Sequence, residues 1–137
     1  IYIFTQAISE AEVDEEIEML KGLIGDNEVA YPVVVDVEEA DGGNGRMDAL
    51  SVEERTHIIK YYCDQIKAAG YTPMIYFNIE GAILMLDLEE LEGYDKWFAG
   101  YNEDFYYPYQ YSIRQYSNTG RIDGIEGDVD LNISFLE

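Results

Sequence analysis

Apolar and polar residues follow one another along the chain in patterns that predict strands separated by helices. Ile1–Phe4 is a short run of β-branched and aromatic residues, which is typical of a strand. Ser9–Glu12 has the sequence of a helix-capping box, and apolar residues then recur at helical spacing. These apolar residues are Val13, Ile17, Leu20 and Ile24. We therefore predict a helix that ends at Gly25.

The middle of the chain repeats this order of strand and helix. Tyr31–Glu38 contains a continuous valine run, which is typical of a strand buried on both faces of a parallel sheet. A second capping box, Ser51–Glu54, opens the clearest helix, which ends at Gly70. Its apolar stripe consists of Ile58, Ile59, Tyr62, Ile66 and Ala69. Pro73–Phe77 is predicted to be the next strand.

The second half of the chain is less regular. The pattern predicts a shorter helical region over Ile79–Leu91 and further strands over Lys96–Tyr101, Tyr111–Tyr116 and Ile122–Ile125. Strands that alternate with helices indicate parallel βαβ units. We predict one α/β domain over residues 1–137, with a mostly parallel sheet of about six strands flanked by helices. A doubly wound domain is the alternative, since only a barrel-derived sheet keeps its strands in sequential neighbour order.

Charge and composition narrow the range of functions. The chain carries 29 acidic and 8 basic residues, a net charge of -21. Such a surface repels phosphate backbones and anionic lipid headgroups, so we expect neither nucleic acid nor membrane as a partner. Cys63 is the only cysteine and His57 the only histidine, so the sequence predicts no disulfide, no zinc site and no Ser-His-Asp triad. We expect neither a metal nor a cofactor.

Two acidic residues, Asp36 and Glu38, follow the valine run and are separated by one residue. Because side chains alternate across a strand, both point the same way at the carboxyl end of a buried strand, where parallel sheets form their active sites. Close carboxylates cannot ionise independently, so the pKa of one of them is raised. A protonated acid beside an ionised carboxylate is what glycoside hydrolysis requires. The alternative is a solvated pair that arises by chance in an acidic chain.

Three other features have a structural and a functional interpretation. Asp130 is a second acidic candidate, although its pattern alone favours a turn with Asx hydrogen bonds. Trp97 and Tyr101 could form a flat platform for a sugar, although core packing is the preferred interpretation of the tryptophan. The loop Asp41–Gly45 lacks the spacing of a phosphate-binding motif. We predict a flexible loop at the mouth of the site, with loose cation binding as a minor alternative.

Several segments, in order, resemble the family 25 glycoside hydrolases, the lysozymes also called muramidases. Val35–Glu38 resembles the D-x-E motif of that family. The other similar segments are Ile1–Ser9, Ala69–Tyr76, Trp97–Tyr101, Gln115–Ser117 and Gly124–Asn132. Together these segments extend over nearly the whole chain.

The resemblance implies an irregular β/α barrel that cleaves the β-1,4 bond between N-acetylmuramic acid and N-acetylglucosamine in bacterial peptidoglycan. Glu38 would be the general acid/base, and Asp36 would assist the acetamido group of the substrate as internal nucleophile, with retention of configuration. Asp130 would complete the acidic floor of the site. The sugar subsite would be lined by Tyr76, Trp97, Tyr101 and Gln115. The resemblance also implies an extracellular or secreted protein.

The chain departs from the family pattern in two ways. It starts after the family's first two strands, one of which carries another active-site Asp, so we expect an incomplete barrel that is truncated at its N-terminus. Two exposed sheet edges would allow self-association. Arg114 stands where the family often has an aromatic residue. The alternative function is therefore an inactive fragment or a non-catalytic glycan-binding relative of the same fold.

Overall fold

The structure, a computed structural model, describes residues 1–101 and 107–136. Within these ranges, six strands and two α-helices form the chain. The strands are β1 (Tyr2–Phe4), β2 (Val33–Asp36), β3 (Pro73–Asn78), β4 (Asp95–Ala99), β5 (Ile113–Gly120) and β6 (Val129–Ser134). The helices are α1 (Glu10–Ile24) and α2 (Val52–Ala68), and shorter turns are a 3-10 helix over Met47–Ala49 and a π-helix over Gly81–Met85.

The six strands form one sheet in the order β1-β2-β3-β4-β5-β6. Strands β1 to β5 are parallel, and β6 pairs with β5 in the antiparallel direction. Since neighbours in sequence are neighbours in the sheet, the predicted incomplete β/α barrel is confirmed and the doubly wound alternative is wrong. β1 and β6 each pair with a single strand among the described residues. The sheet is therefore open at both of these edges.

Helix α1 begins and ends close to its predicted limits. The Ser9 side chain accepts a hydrogen bond from the backbone N–H of Glu12 at 3.3 Å. The Glu12 carboxylate binds the N–H of Ile8 instead of Ser9, so the predicted capping box is only half formed. Gly25, with φ of 55°, ends the helix, since a positive φ strains residues that have a Cβ. The four predicted apolar residues are all buried.

Helix α2 has the complete capping box that its sequence predicts. The Ser51 side chain accepts from the N–H of Glu54, and the Glu54 carboxylate accepts from the N–H of Ser51. Cys63 is buried, as expected of a small apolar side chain. Ala69, predicted to belong to the apolar stripe, is only half-buried, because it is the cap residue that follows the last helical turn. Within residues 1–101 and 107–136, no helix combines the length and apolar character needed to cross a bilayer.

The valine strand separates two apolar layers. Val33, Val35 and Val37 lie in the large core cluster that includes apolar residues of both helices. Val34 lies in a second cluster on the opposite face of the sheet. That cluster consists of Val34, Met74, Tyr76, Ala99 and Ile113, with Trp97 and Leu136 packed against it. The prediction of a strand buried on both faces is confirmed, and the second face, which we call the inner face, is the one that carries Asp36.

The helical region predicted over Ile79–Leu91 is confirmed in its first half and wrong in its second half. Ile79 and Glu80 form helical backbone that continues into the π-helical turn Gly81–Met85, and the chain is extended again at Leu86. The carbonyl of Met85 is bound by the side chain of Arg55 at 3.0 Å. The carbonyl at the end of this turn is thus bound by a side chain 30 positions away in the sequence, a contact that local apolar spacing does not predict.

The last strand also differs from the sequence prediction. Ile122–Ile125, predicted to be a strand, lies in a turn in which Gly124 has φ of 91°. The strand is β6 instead, so the segment around Asp130 is extended and not the Asx turn that its pattern favoured. The physical reason is the pairing of β6 with β5, which satisfies the backbone polar groups of both strands.

Arg55 is a buried cation whose guanidinium binds backbone carbonyls. It donates to the carbonyl oxygens of Met47, Leu50 and Met85 at 2.9, 3.0 and 3.0 Å. Because lysine cannot reproduce this fork of donors, we expect Arg55→Lys to lower the free energy of unfolding by roughly 2 kcal/mol. Urea denaturation measures the loss. Arg46→Lys is the matched control, since Arg46 makes a solvent-exposed ion pair with Glu12, which contributes little to stability. Equal effects of the two variants would contradict the role of Arg55.

Candidate active site

Asp36, the last residue of β2, is the most buried acidic group of the inner face. Its exposed fraction is 3%, and its Oδ2 accepts a hydrogen bond of 2.6 Å from the hydroxyl of Tyr2. Its Oδ1 is buried and has no hydrogen-bond partner among the described residues. A buried acceptor without a partner is costly, and such groups are typical of sites that receive a ligand.

Burial changes the ionisation of Asp36 strongly. The pKa of this carboxyl is raised to about 7, because removal from water and the negative charge of Glu38 raise it more than the hydrogen bond from Tyr2 lowers it. Asp36 therefore exchanges its proton close to neutral pH. The sequence predicted a raised pKa for one member of the pair, and the structure raises the pKa of both.

Glu38 is half-buried, two residues beyond Asp36 along the chain. The Nδ2 of Asn78 lies 3.4 Å from its Oε1, and the Oδ1 of Asn78 accepts from the N–H of Gly81 at 2.9 Å. The second hydrogen bond fixes the amide of Asn78, so its N–H group faces Glu38. Burial and the negative charge of Asp130 raise the pKa of Glu38, while the hydrogen bond from Asn78 lowers it.

Asp130 lies on β6, the edge strand four strands away from β2 in the sheet, yet its charge acts on the same site. Its charge raises the pKa of Glu38 and also that of the Tyr101 hydroxyl. Its side chain is exposed, whereas neither Asp36 nor Glu38 is. The structure thus brings the three predicted carboxylates together, two on the inner face and the third at its open rim.

Three aromatic rings line the inner face next to these carboxylates. Tyr2, Tyr76 and Trp97 contact one another edge to face, with ring centroids 5.3 to 5.9 Å apart. Trp97 is half-buried, and its Nε1 donates to Oδ1 of Asn132 at 2.9 Å. The tryptophan thus packs, half-buried, against the apolar cluster of the inner face, so the core interpretation is confirmed in part and the sugar platform stays a prediction.

Gln115 connects two of the predicted sugar-binding residues. Its Oε1 accepts hydrogen bonds from the hydroxyls of Tyr76 at 2.9 Å and Tyr101 at 2.6 Å. Gln115 is buried, whereas Tyr101 is exposed at the edge of the site. These hydrogen bonds fix the side chains of Tyr76 on β3 and Gln115 on β5. They also connect both to Tyr101, which lies two residues after the end of β4. All four predicted sugar-binding residues therefore lie on the same side of the sheet as the carboxylates.

Sequence reasoning missed two residues of the site, Tyr2 and Asn78. Tyr2 lies on β1, and Asn78 is the last residue of β3; both strands pair with β2. The side chains of both residues face the inner side of the sheet. The only sequence signal was the alternation of side chains along each strand. This alternation becomes informative once the parallel register of β1, β2 and β3 is known. Arg114 lies next to Gln115 on β5 and donates to the carbonyl of Gly100 at 3.2 Å. Alternation along β5 directs it to the opposite face, where it is no substitute for an aromatic side chain of the site.

The glycine-rich loop Asp41–Gly45 is closed by a neighbouring carboxylate. Oδ2 of Asp48 accepts from the N–H groups of Ala40 at 3.0 Å and Gly45 at 2.9 Å. Among the described residues, no group of three or more His, Cys, Asp or Glu side chains is arranged to hold a metal ion. Loose cation binding at this loop and the flexibility of the loop both stay predictions.

The sheet keeps its strands in sequence order, and it has a carboxylate cluster at the ends of its strands, next to aromatic rings such as Tyr76 and Trp97. This combination is typical of barrel-type glycoside hydrolases. The model of the glycosyl hydrolases family 25 matches residues 1–125. The chain belongs to this family, and the resemblance found in its sequence is confirmed. A sequence search of curated proteins found no match.

Solved structures of lytic enzymes have the same fold. The modular autolysin LytC from Streptococcus pneumoniae is 26% identical, with a TM-score of 0.76 over 96% of this chain and 32% of its own. The modular Cpl-1 endolysin, solved with a peptidoglycan analogue, is 21% identical, with a TM-score of 0.70 over 99% and 39%. The bacterial lysozyme from Streptomyces coelicolor is 20% identical, with a TM-score of 0.65 over 97% and 65%. The chain thus spans between one third and two thirds of the length of these proteins.

Proposed function

We propose that this protein is an N-acetylmuramidase, which hydrolyses the β-1,4 bond between N-acetylmuramic acid and N-acetylglucosamine in bacterial peptidoglycan. The observation that carries the proposal is the buried Asp36, whose Oδ1 has no partner in the part of the chain that the structure describes, beside a half-buried Glu38 whose pKa is raised. Membership of the glycosyl hydrolases family 25 supports it. The similarity to the Cpl-1 endolysin, which was solved with a peptidoglycan analogue, supports the same substrate class.

Glu38 acts as the general acid and then as the general base. Its raised pKa favours the protonated form that must donate to the glycosidic oxygen as the bond from that oxygen to C1 breaks. Because Asn78 donates to Oε1, the proton is carried by Oε2. In the second half of the reaction the carboxylate takes a proton from the water that attacks C1.

Asp36 acts through the acetamido group of the substrate. In its ionised form, Oδ1 accepts the N–H of that group, and the acetamido carbonyl oxygen forms a bond to C1 as the leaving oxygen departs. The positive charge that develops on the sugar ring and the acetamido group is stabilised by Asp36 and by Asp130. Water then attacks C1 from the opposite side and breaks the bond between C1 and the acetamido oxygen, which restores the acetamido group and gives retention of configuration.

The sugar rings are bound by Trp97, Tyr101, Tyr76 and Gln115. Trp97 and Tyr101 present flat faces to the C–H faces of a pyranose, while Tyr76 and Gln115 supply hydrogen-bonding groups. Such a site takes a neutral, extended glycan chain. Peptidoglycan lies outside the cytoplasm, so an extracellular or secreted location is part of the proposal. Self-association through the edges at β1 and β6 stays a prediction.

Digestion of purified peptidoglycan tests the proposed bond specificity. We expect new reducing ends, which borohydride converts to muramitol because cleavage leaves N-acetylmuramic acid at the reducing side. Amino-sugar analysis after acid hydrolysis measures it. Glucosaminitol as the product would show the other glycosidic bond to be cleaved. Sedimentation with the peptidoglycan without any new reducing ends would favour the non-catalytic glycan-binding alternative.

A further inference from the structure

Tyr2 makes the one hydrogen bond that Asp36 receives from a described side chain. Its hydroxyl lies 2.6 Å from Oδ2 of Asp36, although the two residues are 34 positions apart. The parallel pairing of β1 with β2 sets Tyr2 opposite Val34, two residues before Asp36 on the same face. This contact is a product of the fold, and it reaches one carboxyl oxygen, while the other has no hydrogen-bond partner within residues 1–101 and 107–136.

The ring of Tyr2 is fixed although its strand lies at an edge of the sheet. The ring is 48% exposed, but it contacts Tyr76 and Trp97 at centroid distances of 5.6 and 5.9 Å. These edge-to-face contacts orient the hydroxyl towards β2. The angle at which Asp36 presents its free oxygen therefore depends on a residue outside the D-x-E motif.

We propose that Tyr2 is a positioning residue, which holds Oδ2 of Asp36 and thereby reserves Oδ1 for an N–H group of the substrate. This inference rests on the proposed function for the identity of that N–H group. Tyr2 touches neither the scissile bond nor the proton that Glu38 transfers, and it acts only through Asp36.

The surroundings of Asp36 show why its hydroxyl partner matters. Among the described residues, the titratable groups that face it are Tyr2 on β1, Glu38 beyond β2 and Tyr76 on β3, and none of them carries a positive charge. Burial raises the pKa of Tyr2, so its hydroxyl remains a donor throughout the working pH range. With no cation among these groups, the hydrogen bond from Tyr2 is the interaction that favours ionised Asp36.

Tyr2→Phe tests the inference, because phenylalanine keeps the ring contacts and removes only the hydroxyl. The pKa of Asp36 should rise in the variant, so less of it is ionised below pH 7. For a rise of about one pKa unit, we expect kcat/KM of the variant, divided by that of the wild type, to fall roughly fivefold between pH 8 and pH 6. The ratio cancels the titration of Glu38. A purely structural role would lower kcat/KM by the same factor at every pH.

A second measurement does not depend on activity. The carboxyl carbon of Asp36, followed by NMR in the full chain without substrate, should titrate at higher pH in Tyr2→Phe than in the wild type. Tyr61→Phe is the matched control, because it removes a hydroxyl that binds Asp14 at 3.0 Å between the helices, and it should leave this titration unchanged.

The two measurements separate this inference from the proposed function. If the wild type cleaves peptidoglycan while the ratio and the Asp36 titration are both unchanged by Tyr2→Phe, the role of Tyr2 is overturned and the muramidase proposal stands. If the Asp36 titration moves but the wild type leaves peptidoglycan intact, the muramidase proposal fails and the control of Asp36 by Tyr2 stands.

Discussion

Replacing Glu38 by glutamine is expected to lower kcat for peptidoglycan hydrolysis by roughly 10²- to 10⁴-fold, the range that a general acid/base contributes. Glutamine has nearly the same shape and can still interact with Asn78, but it has no proton to give to the leaving oxygen. Release of reducing sugars from peptidoglycan measures the loss. The circular dichroism spectrum and the melting temperature should stay close to those of the wild type.

The control for this variant is the neighbouring carboxylate. Glu39 is exposed and follows Glu38 directly, so Glu39→Gln removes one negative charge from the same loop without touching the inner face. We expect this control to keep nearly full activity. A Glu38→Gln variant with activity near that of the wild type would remove Glu38 from the role of acid, whatever the control shows.

Replacing Asp36 by asparagine is expected to stabilise the fold above neutral pH while it impairs hydrolysis. The pKa of Asp36 is about 7 in the folded chain, against about 3.9 in an unfolded one, so the folded state binds the extra proton between these values. The wild type is therefore most favoured below pH 4 and loses this contribution as the pH rises through 7. Asparagine is neutral at every pH, so this position contributes no pH-dependent change to the free energy of unfolding of the variant.

The size of this effect follows from the difference between the two pKa values. Between pH 4 and pH 8, the free energy of unfolding of Asp36→Asn should gain on the order of 3 kcal/mol relative to the wild type. Urea denaturation at the two pH values measures it. Asp123→Asn, at an exposed turn, is the matched control and should show almost no such gain. A difference between Asp36→Asn and wild type that stays constant with pH would show that Asp36 ionises freely in the folded protein.

Glu38→Gln and Asp36→Asn together are expected to show that the site lowers the stability of the fold. Burying Asp36 beside Glu38 raises the free energy of the folded state at neutral pH, since two carboxyl groups with raised pKa values lie close together. Loss of activity with a gain of stability is the expected signature of a carboxylate that is retained for its chemistry.

Local sequence signals were sufficient for the first half of the fold. The serine caps at Ser9 and Ser51, the helix ends at Gly25 and Gly70 and the buried valine strand are written in neighbouring residues. Each depends on hydrogen bonds or apolar periodicity within a few positions, so the sequence predicts them directly. The same is true of the shared orientation of Asp36 and Glu38, which follows from alternation along one strand.

Only the tertiary structure decided the last strand and the completion of the site. Whether the segment around Asp130 is a turn or a strand depends on pairing with β5, and its nearness to Glu38 depends on the course of the whole sheet. The partners of the two carboxylates, Tyr2 and Asn78, lie 34 and 40 positions away in the chain. Such contacts have no period that a sequence displays, because their energies arise only when strands of defined register bring distant side chains together. The sequence by itself determined which groups could act, and the fold determined which of them meet, how far they are removed from water and where their protons are held.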